Sequence, residues 1–320
     1  MSRLTLFMVA ALATLPATAQ PADPSGFPFL RLEPSARASA MAGAFGSIYD
    51  ADVNALFYNP AQLNESMHGT LSLSYLNHLS DLNAGFIAYA RHYDRIGTVG
   101  AGLRFLNWGT IQGSTETGEK TGEFGAGDVA LTVGAARAYT ERVRYGANVH
   151  VIYSSVESFS ASALAADVGV TYLVPNALLS ISATVNNLGV TLSSLGGTND
   201  DLPVDVRVGV SKRIRHLPLL VSVTAYNLHN YDAVSPNASV TTNVLHHLAI
   251  GGEFQFSEAF NVRLGYNHRR HTELKTKTRL DFAGLGVGVG IKVNRFRFDY
   301  AYNSWSSLGG LNQLTLGTTI

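Results

Sequence analysis

Apolar and polar residues alternate with a period of two along most of the sequence from Gly69 to its end. The clearest segments are residues 204–211, 260–267 and 296–303. Successive side chains of a β-strand point to opposite faces, so this period indicates strands with one apolar and one polar face. Such strands suit either a soluble sandwich of two sheets or a barrel.

The lengths of the connections favour the barrel. The pattern predicts fourteen strands, at residues 71–77, 84–93, 98–106, 128–139, 143–153, 163–173, 178–186, 204–215, 219–226, 246–256, 260–270, 283–293, 296–303 and 312–320. Connections after even-numbered strands are short, whereas most of those after odd-numbered strands are longer, including residues 107–127, 187–203, 227–245 and 271–282. Short turns at one end and long loops at the other are typical of outer-membrane barrels. We therefore predict an all-β, fourteen-stranded antiparallel transmembrane barrel of the outer membrane.

The composition excludes several kinds of partner and of chemical site. The chain has 23 basic and 23 acidic residues, so no net charge attracts it to nucleic acid. Only 14% of its residues are charged, against about a quarter in soluble globular proteins. The chain has no cysteine, which excludes disulfides, thiolate metal sites and a lipoprotein anchor. This composition fits a lipid-facing wall around a polar interior.

The first nineteen residues have the pattern of a secretory signal peptide. Arg3 precedes an apolar run over residues 4–15, and Ala17-Thr18-Ala19 forms a small-residue cleavage site before Gln20. An anchor helix is the alternative, but the run is shorter than the roughly 20 residues that span a bilayer. We predict cleavage near Ala19 and Gln20 and localisation in the cell outer membrane.

Residues 20–68 are predicted to form a plug inside a barrel of residues 69–320. Residues 35–48 are rich in Ala, Gly and Met, and residues 50–63 contain the motif Asn59-Pro60-Ala61, so both suggest short helices. The predicted twelfth strand places four glycines on its inner face, at Gly284, Gly286, Gly288 and Gly290. A strand of glycines leaves room for a closely packed neighbour, which the plug would supply. A flexible periplasmic linker is the alternative.

Charged residues of both signs fall on the predicted inner face. They are Arg104, Arg144, His150, Asp205, Arg207, Glu253, Arg263, Arg297 and Asp299. Charges of one sign would suggest a pore. Charges of both signs favour a network of ion pairs in which the buried charges of a closed interior neutralise one another. We therefore interpret these residues as structural.

No motif indicates catalysis, a metal or a cofactor. His246 and His247 are adjacent and so lie on opposite faces of a strand, and His268 and His271 flank two arginines. Neither spacing converges on a metal ion. Combinations of Ser154, Asp167, His150 and His229 as a hydrolytic site are arbitrary without a nucleophile motif. We predict a protein without enzymatic activity.

Two segments carry a family resemblance. Residues 35–44, Ser-Ala-Arg-Ala-Ser-Ala-Met-Ala-Gly-Ala, and residues 52–61, Asp-Val-Asn-Ala-Leu-Phe-Tyr-Asn-Pro-Ala, resemble the opening of the PorV/PorQ family. Residues 68–75, 118–128, 202–213 and 265–270 extend the resemblance, which is closer to the PorQ branch. The family is in turn similar to FadL-type transporters, whose fourteen-stranded barrels are occluded by an N-terminal hatch.

The resemblance implies a non-enzymatic scaffold of the type IX secretion system. A PorQ-like protein would belong to the attachment complex at the cell surface, with PorZ as direct partner and with PorU and PorV nearby. The PorV branch, which would carry or dock the secreted cargo, stays open. The alternative from another class is a FadL-like channel for uptake of hydrophobic small molecules. The predicted partner-contact residues in the long loops are Trp108, Tyr231, His271 and Trp305.

Overall fold

Fourteen antiparallel strands close into a barrel in which the first strand pairs with the last. The computed structural model describes residues 26–77, 82–115, 117–195, 201–231, 239–275, 281–306 and 309–320, so the predicted signal peptide lies outside the described residues. The strands are β1 Thr70–Asn77, β2 Asn83–Tyr93, β3 Gly97–Ser114, β4 Lys120–Ala138, β5 Val143–Val156, β6 Phe159–Val174, β7 Leu179–Ser193, β8 Asp205–Arg213, β9 Leu219–Ala225, β10 Leu248–Gln255, β11 Phe260–Asn267, β12 Leu285–Val293, β13 Phe296–Ser306 and β14 Gly309–Thr319. The predicted fold class and strand number are confirmed.

The outer face of the wall is apolar and the inner face is polar. Phe298 and Tyr300 of β13 are exposed on the outside, whereas Asp299 between them is buried inside. The same alternation runs along β5, where Val149 and Val151 point outward and His150 is fully buried. An apolar outer band around a polar interior is the arrangement that a lipid bilayer requires of a barrel. In the described part of the chain, no helix combines the length and apolarity of a membrane span.

The wall has two heights. The connection predicted at residues 107–127 is mostly strand, because β3 and β4 continue as one hairpin up to the pair Ser114 and Lys120. Strands β3 to β7 are therefore long, whereas β8 to β12 have at most nine residues each. We call the end with the odd-numbered connections the loop end and the opposite end the turn end. The tall hairpins β3 to β7 rise at the loop end.

Two short helices lie above the low side of the wall. Helix α2, Val240–His246, lies between β9 and β10, and helix α3, His268–Leu274, follows β11. The prediction that strand eleven continues to residue 270 is wrong, because the Asn267 side chain accepts a hydrogen bond from Arg270 N and starts a helix. The two helices contact each other at the loop end.

The N-terminal segment folds inside the lumen, as predicted. It consists of helix α1, Ala36–Ala40, and short 3-10 helices at Pro28–Arg31, Val53–Phe57, Pro60–Gln62 and Glu65–Met67. Side-chain caps start most of these turns; the Asn59 side chain, for example, accepts from Ala61 N. Short capped turns let a segment of small residues fill a narrow space without leaving backbone donors unpaired.

Glycines in the wall allow the plug to make backbone contact with it. A Cβ atom on Gly286 would lie 2.7 Å from Ser39 O, and one on Gly288 would lie 2.6 Å from the Ala40 Cβ. Of the four predicted inward glycines, Gly286 and Gly288 therefore face the plug, whereas Gly290 faces the Asp299 and Arg263 side chains of the wall, and Gly284 lies outside the strand. That residue precedes the strand and adopts φ +82° beside Asn267 O. Gly286 and Gly288 thus lie where the plug packs against the wall.

An ion-pair network fastens the plug to the wall. Arg37 of α1 donates from Nε to Glu253 Oε2 at 2.8 Å, and Arg263 donates to the same oxygen at 2.6 Å. The network joins four arginines and four carboxylates, which are Arg37, Arg213, Arg263, Arg297, Asp50, Asp52, Glu253 and Asp299. The charges balance, so the closed interior holds no net charge from this set. Most of the predicted inward charges thus form ion pairs, whereas Arg104 and Arg144 donate to backbone carbonyl oxygens of the plug, at Leu30 and Leu63.

The contact of Met41 with β11 offers a test of plug seating. A Cβ atom on Gly265 would lie 2.3 Å from the backbone carbon of Met41, so Gly265→Ala must displace the plug backbone. We expect it to cost about 1–3 kcal/mol, the range of overpacked cores, and to lower the unfolding temperature. Gly252→Ala is the matched control, because its nearest atom would be a flexible Leu219 carbon at 3.7 Å. Equal thermal unfolding of the two variants would contradict the packing.

The centre of the ion-pair network offers a second test. Glu253 is fully buried and contacts both Arg37 and Arg263. We expect Glu253→Gln to destabilise the protein by about 3–5 kcal/mol in denaturant unfolding, because it leaves buried guanidinium groups uncompensated. Exposed Glu119→Gln should change stability by no more than ~0.5 kcal/mol. A Glu253→Gln protein as stable as that control would show that the network does not hold the plug.

Candidate binding site at the loop end

A cavity of about 620 Å³ lies above the plug at the loop end of the barrel. Its floor is the first part of the plug, residues 28–33, which we call the strap. Its sides are the upper ends of the strands and the N-terminal part of the β11–β12 connection. Small-molecule sites have volumes of about 300–1,000 Å³, so this space can hold a small ligand. We call it the mouth cavity.

One continuous arc of the cavity wall is apolar. Going round the barrel from β13 through β14 and β1 to β3, it consists of Trp305, Leu311, Leu76, Leu82, Leu106 and Trp108. Phe29 and Leu32 of the strap continue this surface onto the floor. An apolar lining with a few polar groups is the usual composition of a small-molecule pocket.

The opposite arc, from β8 to α3, is polar, and its charges are paired. Arg207 Nε lies 2.6 Å from Asp205 Oδ2, and Arg269 Nε lies 2.7 Å from Glu273 Oε1. Arg270 of this arc pairs with Glu33 of the strap. Because each of these arginines has a carboxylate partner, the arc contributes polarity without offering a spare charge.

Tyr58 of the plug contributes an unpaired hydroxyl group to the cavity region. Its ring lies under the Arg207 guanidinium carbon, 5.3 Å from it, and its hydroxyl oxygen is buried with no hydrogen-bond partner among the described residues. A buried hydroxyl prefers a partner, since leaving it unpaired costs free energy. Tyr58 thus places a buried polar atom without a partner at the boundary between the plug and the cavity.

Hydrogen bonds hold the strap to the wall. Arg104 Nη1 donates to Leu30 O at 3.2 Å, and Gln313 Nε2 donates to Glu33 O at 3.0 Å. The Arg104 guanidinium also stacks on Phe57 of the plug, 5.2 Å from its ring centre. The floor of the cavity is therefore fixed to β3 and β14, and the plug below it fills the lumen.

Burial changes the titration of three groups around α2 and α3. It raises the pKa of Tyr226 to about 12, so this phenol keeps its proton and donates to Asn267 Oδ1 at 2.9 Å. Burial and the nearby Arg269 lower the pKa of His246, and burial also lowers that of His268. Both imidazoles are thus biased toward the neutral form.

The four predicted contact residues lie in different surroundings. Trp108 and Trp305 both line the mouth cavity, on β3 and β13, although the sequence placed them in loops. Tyr231 stacks on His247 with ring centres 5.2 Å apart. His271 does not line the cavity, and its Nδ1 lies 3.0 Å from Ala283 O. The structure thus brings the two tryptophans to one site and keeps the other two residues apart from it.

The plug motif does not line the cavity, although it directly follows Tyr58, which does. Asn59 Nδ2 donates to Gly46 O at 3.0 Å and to Thr171 Oγ1 at 3.3 Å. A Cβ atom on Gly146 would lie 2.6 Å from the Pro60 backbone carbon, and Ala61 is fully buried. The motif packs against β5 and β6 and contacts no open space.

Several cavity residues were not foreseen from the sequence. Glu33, Tyr58 and Leu311 line the site, but their neighbours are distant in the chain; Gln313, for example, contacts Glu33 across 280 positions. The one available signal was Glu33 itself, the only acid between Gly26 and α1. An acid in a mostly apolar segment suggests a basic partner, here the half-buried Arg270.

The described residues contain no assembled catalytic or metal site. His150 Nε2 lies 2.7 Å from Asp167 Oδ2 and its Nδ1 lies 2.8 Å from Thr132 Oγ1, which resembles a hydrolytic arrangement. All three residues are buried between wall and plug, so no substrate reaches them. Across the described ranges, no group of three or more His, Asp or Glu residues is placed to hold a metal ion.

The hydrogen-bond ladder of the wall is continuous beside the apolar arc. Strands β2 and β3 pair without interruption from Asn83 and Asn107 to Tyr93 and Gly97. Strand β14 likewise pairs with β1 over the whole length of β1. In this conformation the apolar arc has no lateral gap between these strands.

Comparison with known proteins shows the fold. No family model and no curated protein sequence matches the chain. Among solved structures, it is similar to a TodX deltaS2S3 mutant monoaromatic hydrocarbon channel, with 14% identity over 89% of this chain and 99% of the other and a TM-score of 0.59. It is also similar to the Pseudomonas putida toluene transporter TodX, at 12% identity, 89% and 98% coverage and a TM-score of 0.56.

A Pseudomonas aeruginosa FadL homologue matches in the same way, with 11% identity, 89% and 98% coverage and a TM-score of 0.54. All three matches cover 89% of this chain. At identities this low, the structural similarity establishes the architecture alone. The chain therefore has the fold of the FadL-like outer-membrane barrels.

Proposed function

We propose that this protein is a FadL-like outer-membrane barrel that takes up hydrophobic small molecules and binds them in the mouth cavity. The observation that carries the proposal is the apolar arc from Trp305 to Trp108 above a plugged lumen. The arginines of the opposite arc are paired with carboxylates of the arc or of the strap, which favours an uncharged ligand over an ion. Two of the similar structures are described as a toluene transporter and a monoaromatic hydrocarbon channel, which agrees with this ligand class.

Passage beyond the cavity requires the strap to move. The strap closes the floor, and its contacts with Arg104, Gln313 and Arg270 are few and lie near the loop end. The deeper plug is held by the buried network around Arg37 and Glu253. On this proposal the strap rearranges while the deeper plug stays in place, because the contacts of the strap cost less free energy to break than those of the deeper plug.

The two tryptophans give a direct binding assay. The chain contains only two, Trp108 and Trp305, and both line the cavity. We expect a brominated toluene to quench the intrinsic fluorescence of the purified protein saturably, and toluene to compete with it. Leu82→Glu should weaken binding at least ~10-fold, about 1.4 kcal/mol, because a carboxylate then lines the apolar arc. Leu217→Glu, on an exposed turn at the opposite end, is the matched control.

Quenching that does not saturate, or that is equal in both variants, would sink this ligand class. Trp305→Phe separates the contributions of the two rings and keeps the cavity apolar. Unchanged near-ultraviolet circular dichroism of Leu82→Glu shows that a loss of quenching reflects binding and not unfolding.

We propose a second candidate, the type IX secretion scaffold, because of the tall hairpins. Strands β6 and β7 carry exposed apolar side chains near the loop end, at Phe159, Val190 and Leu192. Exposed apolar groups on a rigid sheet suit a protein partner. Together with the resemblance of residues 35–44 and 52–61 to PorV/PorQ proteins, this supports a rigid platform on which a PorZ-like partner docks, with PorU and PorV in the same complex.

The scaffold proposal has its own test. We expect Val190→Glu with Leu192→Glu to reduce co-purification of surface partners at least ~5-fold after mild cross-linking, because two apolar contacts become charged. Leu217→Glu at the turn end should leave the partners bound, and toluene binding should be intact in both variants. A tagged protein that recovers no partner from its native outer membrane would remove this candidate and leave the uptake proposal untouched.

A further inference from the structure

A second, smaller cavity lies beside the mouth cavity, against the inner face of the tall strands β3 to β6. It has a volume of about 290 Å³, close to the lower end of the range for small-molecule sites. Pro28 and Trp108 line both cavities, so the two adjoin each other. We call the smaller one the side chamber. The polar arc of the mouth cavity, from β8 to α3, does not contribute to its lining.

The register of the wall places one acid in this chamber, next to a serine. Asp128 of β4 lies directly opposite Ser154 of β5. Their neighbours Val129 and Tyr153 are exposed on the outside of the barrel. Because side chains alternate along a strand, Asp128 and Ser154 point into the lumen, where they are 8% and 5% exposed. Both line the side chamber.

A β-bulge directs Trp108 toward this acid. The pairing of β3 with β4 shifts register between Asn107 and Thr110, and Gly109 has φ +75°. The Asn107 side chain accepts a hydrogen bond from Gly109 N at 2.8 Å, which stabilises the bulge. Bulges redirect side chains beside binding sites. Here Trp108 Nε1 donates to Asp128 Oδ2 at 2.8 Å, so the indole edge is fixed at the side chamber.

The Asp128 carboxylate has one hydrogen bond and no ion pair within the described part of the chain. No Lys, Arg or His nitrogen there lies within 4.0 Å of its oxygens. Arg104, the inward arginine of β3, interacts with the plug instead, through Leu30 O and the Phe57 ring. An ionised carboxylate offers about four acceptor sites, and a buried charge without a partner is costly. The described wall therefore holds an acid whose charge it does not neutralise.

The rest of the lining favours an organic cation over a metal ion. Calcium binds about six to eight oxygen ligands, whereas the only lining residues with side-chain oxygens are Asp128 and Ser154. The other lining residues are apolar or glycine, and Phe27 and Trp108 add aromatic rings, which attract cations. A ligand that carries both a positive charge and a small hydrocarbon group matches both parts of this lining.

We propose that the side chamber binds a small protonated amine, whose ammonium group donates to Asp128 and Ser154 and whose hydrocarbon group packs on the apolar lining. The ammonium group supplies the missing positive charge. It binds the second carboxylate oxygen, so the hydrogen bond from Trp108 to Oδ2 is retained. The side chamber thus selects a cation, whereas the arginines and carboxylates around the mouth cavity are already paired. This inference holds whatever molecule the mouth cavity binds.

Benzylamine and benzyl alcohol test the requirement for charge, because they have nearly the same size and only the amine is a cation at neutral pH. We expect isothermal titration calorimetry of the purified protein in detergent to show saturable binding of benzylamine, at least ~10-fold tighter than that of benzyl alcohol. Asp128→Asn, which keeps an acceptor for Trp108, should abolish this preference. Glu273→Gln is the matched control, because this carboxylate of the mouth cavity already pairs with Arg269. It should keep the preference.

A second variant locates the site by volume. Ala126→Leu fills part of the side chamber without changing a charge, and it should weaken benzylamine binding at least ~5-fold. Equal affinities of the wild-type protein for amine and alcohol, or a preference that survives in Asp128→Asn, would overturn the proposal. Binding of benzylamine only after removal of residues 20–25 would also overturn it, because the acid would then belong to the chain's own amino terminus. The wild-type comparison decides even where a variant fails to fold, and quenching by brominated toluene tests the mouth cavity separately.

Discussion

The hydrogen-bonded closure of β1 onto β14 is the constraint on which the rest of this structure depends. Lipid offers no partner to backbone donors and acceptors, so a sheet that crosses a bilayer has to close. Residues 70–77 pair with residues 312–319 along the whole of β1. Closing fourteen strands encloses more volume than their inward side chains fill. The chain fills that volume with its own N-terminal segment. The contact between this plug and the wall determines which residues each of them has there.

Filling the lumen sets a different problem on each side of the plug. Beside α1, the wall consists of glycines, because only a missing side chain lets two backbones approach within contact distance. Toward the turn end, charges replace small residues, and the balanced network around Glu253 keeps the interior neutral. Toward the loop end, the plug stops short of the rim and leaves the mouth cavity. The N-terminal segment thus fills the lumen toward the turn end and forms the floor of the mouth cavity toward the loop end.

Sequence reasoning recovered what is periodic and missed what is paired over long distances. The alternation of residues 296–303 fixed both the strand and its faces, and the glycines of β12 revealed the plug. Arg37 could not be given its partner, because Glu253 lies 216 positions away. The helix at His268 was missed because the alternation of β11 continues up to Asn267, whose capping bond overrides it. The mouth cavity was likewise unpredictable, since its lining comes from strand ends on both sides of the closure.

The two heights of the wall connect these features. Strands β9 to β11, with seven or eight residues, are shorter than the roughly 9–11 residues that a tilted strand needs to cross a bilayer, and β8 and β12 have nine residues each. Their upper ends would leave the polar arc of the cavity open to the outer leaflet if α2 and α3 did not cover it. The tall hairpins need no such cover, since their paired strands continue above the bilayer. On the low side a helix, α3, therefore takes the place of strand in the side of the cavity, and the charged residues Arg207, Arg269 and Arg270 lie there.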